Sequence, residues 1–410
     1  MAVVCGPKGA GKSTLARLMV NTLLQHVRQV AFLDVDPGQS ELTAPGLLSL
    51  SHLTAPLLGP PALRLGCSDS PEPVEQRFIG DVSPSGDPAA YTGAVDSLLT
   101  SWREAAPRVP VLVVNTMGWV RGLGLELLCS LLRGCQPTHV LSLGADQQQD
   151  RGLPPGAFWT LPGETQPPCE VIQLGAASAQ PLVAAPGPLL HDPGLMLDED
   201  AIDGAAPDAP AQPALGQARQ KTGADLRGLL WAAWCHRATT SRGSSALADT
   251  IWADAWAPRT GGGAPASTVV AEALTRAAPY CVRASSFRLV ALLTHFEGGE
   301  AFHALNGAVV GLGVHDTHST VPRCLGLALV RSVDPAAGVL FLLTPVPVAL
   351  AAMADALLLG KLELPLALLL SPPHSCPYVA LGALSGAEAT GASAMRSRNN
   401  LLRRGAAAGP

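Results

Sequence analysis

The sequence predicts an α/β fold: a parallel sheet with helices on both faces, followed by a smaller β-rich C-terminal domain. Three observations predict it. Apolar runs alternate with helical runs through the first third of the chain, the pattern of strands buried on both faces and linked by crossover helices. A glycine-rich segment joins the first apolar run to the first helical run. Beyond residue 279 the text changes to short apolar runs broken by Gly, Asp or Pro, a strand-and-turn pattern.

The elements follow in order. Residues 2–5 are a strand and 13–27 a helix; Val30–Asp34 is a second strand. Residues 45–92, rich in Pro, Gly, Ser and Asp, read as long surface loops. A helix is expected over 94–105, a buried strand over Val111–Asn115, a helix over Gly124–Arg133 and a strand over His139–Leu143. Residues 176–216, Ala/Pro/Gly-rich with the acidic run Asp198-Glu199-Asp200, read as a flexible connector. A helix pattern returns over 224–236, then 237–278 reads as a loose linker containing Gly261-Gly262-Gly263. Apolar runs at 281–295, 301–314, 324–332 and 338–344 make the β-rich part. The expected domains are 1–236, 279–395 and a basic tail over 396–410 with Arg396, Arg398, Arg403 and Arg404.

Composition bounds the function. The chain has 410 residues, 48% apolar, 4% aromatic, and a net charge of −5. That balance argues against a protein coating nucleic acid non-specifically, which needs many cations facing phosphates. The nine cysteines show no C-x-x-C pair, so they read as reduced thiols rather than a disulfide or zinc framework. The longest apolar region, Val346–Leu370, is broken by Asp355, Lys361, Glu363 and Pro365 and does not give the ~20 apolar residues of a membrane helix. The first strand starts at once, so no cleavable leader fits, and the numbering is expected to start inside a longer ancestral protein.

The chemistry starts at Gly6-Pro7-Lys8-Gly9-Ala10-Gly11-Lys12-Ser13, a complete G-x-x-x-x-G-K-S phosphate loop between strand and helix. This makes the predicted sheet one of P-loop NTPase type. Glycines let successive N–H groups turn onto phosphate oxygens, and the helix that follows adds its positive end. Lys12 supplies a charge for the outer phosphates and the Ser13 hydroxyl a ligand for Mg²⁺; Lys8 and Lys12 are two of only four lysines in the chain. The second strand ends Asp34-Val35-Asp36-Pro37-Gly38-Gln39-Ser40-Glu41. Carboxylates there can hold Mg²⁺ or take a proton from a hydroxyl, although Asp-Pro-Gly alone would also serve as a turn. The third strand ends Asn115-Thr116-Met117-Gly118-Trp119; the indole either packs in the core or offers a plate for a base. His315-Asp316-x-His318 reads as a surface loop rather than a metal site, because no fourth ligand has the spacing.

Together these motifs resemble the polynucleotide 5′-hydroxyl kinases of RNA processing. Leu58-Gly59-Pro60-Pro61, Gly80-Asp81-Val82-Ser83-Pro84, Val113–Trp119 and Leu343-Thr344-Pro345-Val346-Pro347 resemble the nucleolar, ribosomal-RNA branch. The resemblance implies transfer of the ATP γ-phosphate to an RNA 5′-hydroxyl. It implies that Asp36 activates the hydroxyl and shares Mg²⁺ with Ser13, that Thr14 touches a phosphate, and that Gln39, Thr116, Gly118 and Trp119 hold the substrate end. A lid of arginines is implied as well, with Arg219 and Arg227 as candidates beside Lys221, and their spacing departs from a compact lid pair. An endonuclease partner and a nuclear, nucleolar location are implied in the same way, since no strong basic import run is visible. The rival readings are a P-loop ATPase with another target, and a non-catalytic scaffold that binds RNA or a nuclease. A GTPase would need an Asn-Lys-x-Asp base reader, and the sequence has none.

Overall fold

The computed structural model describes residues 1–67, 71–144, 153–161, 163, 168–175, 222–240, 266–292, 300–315, 321–365 and 368. The 176–216 connector, Gly261–Gly263, Arg219, Lys221, Asp316, His318 and the 396–410 tail lie outside the described residues.

The N-terminal part is built on strands β1 (Ala2–Cys5), β2 (Val30–Asp34), β3 (Leu47–Leu53), β4 (Glu75–Phe78), β5 (Leu112–Asn115), β6 (His139–Leu143) and β7 (Glu170–Leu174). They lie in the order β7-β6-β1-β5-β2-β3-β4. The β7-β6-β1-β5-β2 ladder is parallel throughout. The expected helices flank it. Helix α1 (Lys12–Leu23) presses Ala16 and Val20 onto Val4, Phe32 and Val113 on one face. Helices α3 (Pro88–Ala105) and α4 (Leu123–Cys135) cover Val3, Leu33 and Val114 on the other. Alternate residues of each strand thus point to opposite helical layers.

Two readings of the sequence are corrected here. Residues 45–92 are not long loops: they hold β3, β4, a short helix α2 (Pro61–Gly66) and the start of α3. Both new strands pair antiparallel, β3 with β2 and β4 with β3, so the sheet is mixed. The reason is visible in Leu47-Leu48-Ser49-Leu50-Ser51-His52-Leu53. Its polar alternation looks like an exposed edge, yet Ser49 and Ser51 are buried because a neighbour strand lies on each side and a layer covers each face. Helix α3 begins six residues before the expected 94. Asp87 caps it by accepting the Ala90 N–H at 2.8 Å, and Pro88 takes the first turn, where a missing N–H costs nothing.

The C-terminal strands are β8 (Tyr280–Arg283), β9 (Arg288–Ala291), β10 (Val309–Val314), β11 (Arg323–Asp334), β12 (Val339–Leu343) and β13 (Ala356–Leu359). Run 281–295 is therefore two strands, and run 301–314 begins as helix α7 (Glu300–Leu305) before β10. These strands continue the same sheet through β4-β11-β10-β13-β9, joined at Arg77 opposite Arg323. Helix α6 (Ala266–Arg276) occupies the end of the stretch read as linker.

Helix α5 (Gly223–Thr240) covers the junction. Trp231 and Trp234, edge to face at 5.8 Å, pack with Phe78, Leu327, Leu343 and Leu362 in one core. The glycines at this seam are required. A Cβ at Gly360 would lie 2.3 Å from the Gly80 carbonyl oxygen, and the Lys361 N–H bonds that carbonyl at 2.5 Å. The Leu343–Pro347 run packs on β11. Thr344 donates to Leu327 O at 2.7 Å, and Val346 fills the space a side chain at Gly326 would take.

Candidate active site

The site lies at the carboxyl ends of β1, β2 and β5, where open α/β sheets bind ligands. Gly6, Gly9 and Gly11 hold φ angles of 145°, 80° and 91°, which lets the loop turn its N–H groups inward. Gly6 also passes close to β6: a Cβ there would lie 2.6 Å from Leu143 O. Gly11 is the N-cap residue of α1, so the positive helix end faces the cradle. Lys12 is 7% exposed and its ammonium donates to Pro7 O at 3.0 Å. Burial pushes its pKa down, while Asp36 and Cys5 oppose the fall.

The acidic tip of β2 is tied to this loop through β5. Ser13 Oγ donates to Asn115 Oδ1 at 3.4 Å, and Asn115 Nδ2 donates to Asp34 Oδ1 at 3.0 Å. Asp34 also accepts the Glu41 N–H at 2.7 Å, and its burial raises its pKa to about 8. Asp36 accepts the Gly38 and Gln39 N–H groups on one oxygen at 2.9 and 3.1 Å. Burial raises the Asp36 pKa; those two bonds, then the charges of Lys12 and Arg227, pull it back. Arg227 stands on α5, one turn in from Gly223. Lys12 and Arg227 thus lie close enough to Asp36 for their charges to act on it.

The third-strand motif divides. A Cβ at Gly118 would meet Lys8 Cα at 2.8 Å and Lys12 Nζ at 3.1 Å, so the motif backbone borders the cradle. Trp119 is half-buried and lies on the first turn of α4, where a Cβ at Gly124 would come 2.3 Å from its Cγ. It joins the core beneath α3 and α4 with part of the ring open. Thr116 stands apart: its buried hydroxyl donates to Val4 O at 2.9 Å and ties β5 to β1.

Sequence reasoning missed three parts of this constellation. Asn115 bridges Ser13 and Asp34, a link readable only once β5 is placed between β1 and β2. Gly223 meets Lys8 and Gln39, which needs the tertiary path of α5. The third is the network behind Asp34. Buried Glu41 pairs with Arg64 at 2.5 Å and with Arg17 at 3.6 Å, and Arg64 also donates to Glu41 O at 3.1 Å. Both arginines donate to Gly59 O, at 2.5 and 3.0 Å, which accounts for the Leu58-Gly59-Pro60-Pro61 run. Removing one partner of a buried pair strands the other charge and costs about 3–5 kcal/mol. Arg64→Ala is expected to lose stability on that scale in urea denaturation, with Glu41→Leu added to it restoring a large share.

The comparisons match this geometry. The family model described as "mRNA cleavage and polyadenylation factor CLP1 P-loop" matches residues 6–154, and "NOL9-like, C-terminal domain" matches residues 275–365. The polynucleotide 5′-hydroxyl-kinase NOL9 of Arabidopsis thaliana is 30% identical over 395 residues, covering 94% of this chain and 91% of its own. This chain belongs to the NOL9/Grc3 family of polynucleotide 5′-hydroxyl kinases. The NOL9 relative from Danio rerio is 28% identical over 92% of this chain; the chain spans 48% of that protein, about half its length. The grc3 relative from Schizosaccharomyces pombe is 37% identical over 36% of this chain and 20% of its own. A solved Clp1p–Pcf11p complex shares the fold, with a TM-score of 0.50 at 13% identity over 88% of this chain and 74% of the other. Within the NOL9/Grc3 framework the chain carries a P-loop nucleotide site N-terminally and the family's C-terminal domain after it. Among the described residues no helix is long and apolar enough to cross a membrane, and no cluster of three His, Cys, Asp or Glu could hold a metal.

Proposed function

We propose that this protein is an ATP-dependent polynucleotide 5′-hydroxyl kinase that phosphorylates RNA 5′ ends in precursor ribosomal RNA processing. The observation that carries the reading is the convergence of Lys12, Asp36 and Arg227 at the phosphate loop. A carboxylate acted on by two cations, beside the Gly118 motif, suits an acceptor hydroxyl whose proton must leave.

In this reading the triphosphate lies along Gly6–Thr14, and Lys12 exchanges the Pro7 carbonyl for phosphate oxygen. Asp36 accepts the proton of the RNA 5′-hydroxyl as its oxygen bonds to the γ-phosphorus. The bond from that phosphorus to the β–γ bridging oxygen breaks, and ADP leaves with the electron pair. Arg227 faces the charge that spreads over the phosphoryl oxygens. Gln39, Gly118 and Trp119 flank the acceptor end, with Thr116 fixing the strand beneath them.

A divalent cation fits the donor set. Ser13 offers a hydroxyl, and Asp34 and Asp36 offer carboxylates whose pKa values burial raises. Mg²⁺ keeps several waters and takes one or two protein oxygens plus phosphate, a demand that a hydroxyl and a carboxylate can meet. When bound, Mg²⁺ would neutralise phosphate charge; Ser13 and Asp36 would hold it. Nucleolar location and an endonuclease partner belong to the same proposal, supported by the kinship with NOL9.

The test is acceptor choice. With γ-labelled ATP, an RNA oligonucleotide bearing a 5′-hydroxyl is expected to take up label and the same oligonucleotide bearing a 5′-phosphate to take up none. Equal labelling of both would refute the reading.

A further inference from the structure

Arg17 lies on α1 three residues beyond Thr14 and joins the phosphate loop to the chain behind it. Its Nε donates to Ser13 O at 3.3 Å, one terminal nitrogen to Gly59 O at 3.0 Å, and the other to the Thr14 hydroxyl oxygen at 3.4 Å. Buried Glu41 faces the guanidinium at 3.6 Å and is itself clamped by Arg64 at 2.5 Å. The Glu41 N–H holds Asp34 at 2.7 Å, and Asp34 leads back through Asn115 to Ser13. These contacts close a ring that fixes the first turn of α1 against the tip of β2.

The ring decides what the Thr14 hydroxyl does. A hydroxyl has one hydrogen to give and two lone pairs, whereas a guanidinium only donates. The Thr14 oxygen therefore accepts from Arg17, and its hydrogen turns elsewhere. Among the described residues no protein acceptor takes that hydrogen, and Thr14 is exposed beside the loop. The hydrogen is left for an oxygen outside the protein. Arg17 acts through Thr14 rather than directly. Three residues along the helix place it about 4.5 Å further from the cradle, and its donors are aimed at Ser13, Gly59 and Thr14.

Resting on the placement of the triphosphate along Gly6–Thr14, we propose that Arg17, held by Glu41 and Gly59, is a positioning residue for the nucleotide: it orients the Thr14 hydroxyl as a donor to a phosphate oxygen of ATP. Arg64 serves the same end one step back, by keeping Glu41 in place.

The experiment is a double-mutant cycle between Arg17 and Thr14, read by calorimetric titration with Mg²⁺ and adenylyl imidodiphosphate, which is not turned over. Thr14→Val keeps the shape of the side chain and loses the hydroxyl; it is expected to weaken binding about tenfold. Arg17→Ala is expected to weaken it about three- to tenfold. In the Thr14→Val background the same change is expected to cost less than about twofold, because its target is gone. Arg17→Met keeps the length of the stem and is expected to repeat the Arg17→Ala result. Thr14→Ser, which keeps a hydroxyl, is expected to retain wild-type affinity. Equal factors in the two backgrounds overturn the inference. So does an Arg17→Met protein with wild-type affinity and only a lower urea midpoint, the outcome of a purely structural staple. In turnover with 5′-hydroxyl RNA, Arg17→Met is expected to raise the KM for ATP and leave the KM for RNA unchanged; the reverse split overturns the inference. Coupling of Arg17 to Thr14 in a protein that transfers no phosphate to RNA would refute the kinase reading alone.

Discussion

Lys12→Ala is expected to abolish 5′-phosphorylation, with kcat/KM falling at least about 10³-fold, while the protein stays folded. Two features set this prediction. Lys12 is the buried cation of the cradle, at 7% exposed, so no water or mobile ion takes its place beside the outer phosphates. Its burial also works against folding, because desolvation disfavours the charged form and lowers its pKa. Alanine removes that penalty while giving up the bond to Pro7 O and the favourable charge interaction with Asp36. The thermal midpoint of the variant is expected to stay close to the wild type. A variant that retains transfer would show that the triphosphate is held elsewhere.

Asp36→Asn is expected to lower kcat by roughly 10²–10⁴-fold, the usual contribution of a positioned general base, with little change in ATP affinity. Asparagine keeps an oxygen for the Gly38 and Gln39 N–H groups, so the loop keeps its shape. The pH profile makes the prediction specific. Burial holds the Asp36 pKa above the ordinary carboxylate value, with the two N–H bonds, Lys12 and Arg227 offsetting part of the rise. A base works only when ionised, so the rate is expected to climb with pH through the Asp36 pKa as an acid limb. In Asp36→Asn that limb disappears. A variant that keeps both limb and rate would assign proton transfer to another group, with Asp34 the nearest.

Much of this site was legible in the residues. Gly6–Ser13 declares itself because phosphate binding by backbone N–H groups demands glycines at fixed spacing, with strand before and helix after. Asp36 and Gly118 stood out because they lie at strand ends beside the loop and match motifs of the kinases the sequence resembles, although Asp-Pro-Gly also suits a plain turn. What stayed hidden depends on contacts distant in sequence. Strand Leu47–Leu53 was hidden because it sits in a stretch rich in Pro, Gly, Ser and Asp that reads as loop, although its serines are buried in the sheet. The continuity of the sheet rests on β4 meeting β11 at Arg77 and Arg323, a pairing across 246 positions that no local pattern announces. Gly223 carries no signal in the sequence; its approach to Lys8 and Gln39 depends on where α5 packs. The same placement lets the Arg227 charge act on Asp36, whereas Arg219 falls outside the described residues. Trp119 shows the remaining limit: composition left it between core and plate, and the fold gives it a partly packed ring at the shoulder of the site.

The most direct measurement is the fate of the γ-phosphate in a single turnover. Protein mixed with γ-labelled ATP, Mg²⁺ and 5′-hydroxyl RNA is quenched on the timescale of one event, and label in RNA is counted against label in free phosphate. Label arriving at the RNA 5′ end, with free phosphate at background, is the predicted result. Label released as inorganic phosphate at a rate indifferent to the RNA would contradict it and make the protein an ATPase.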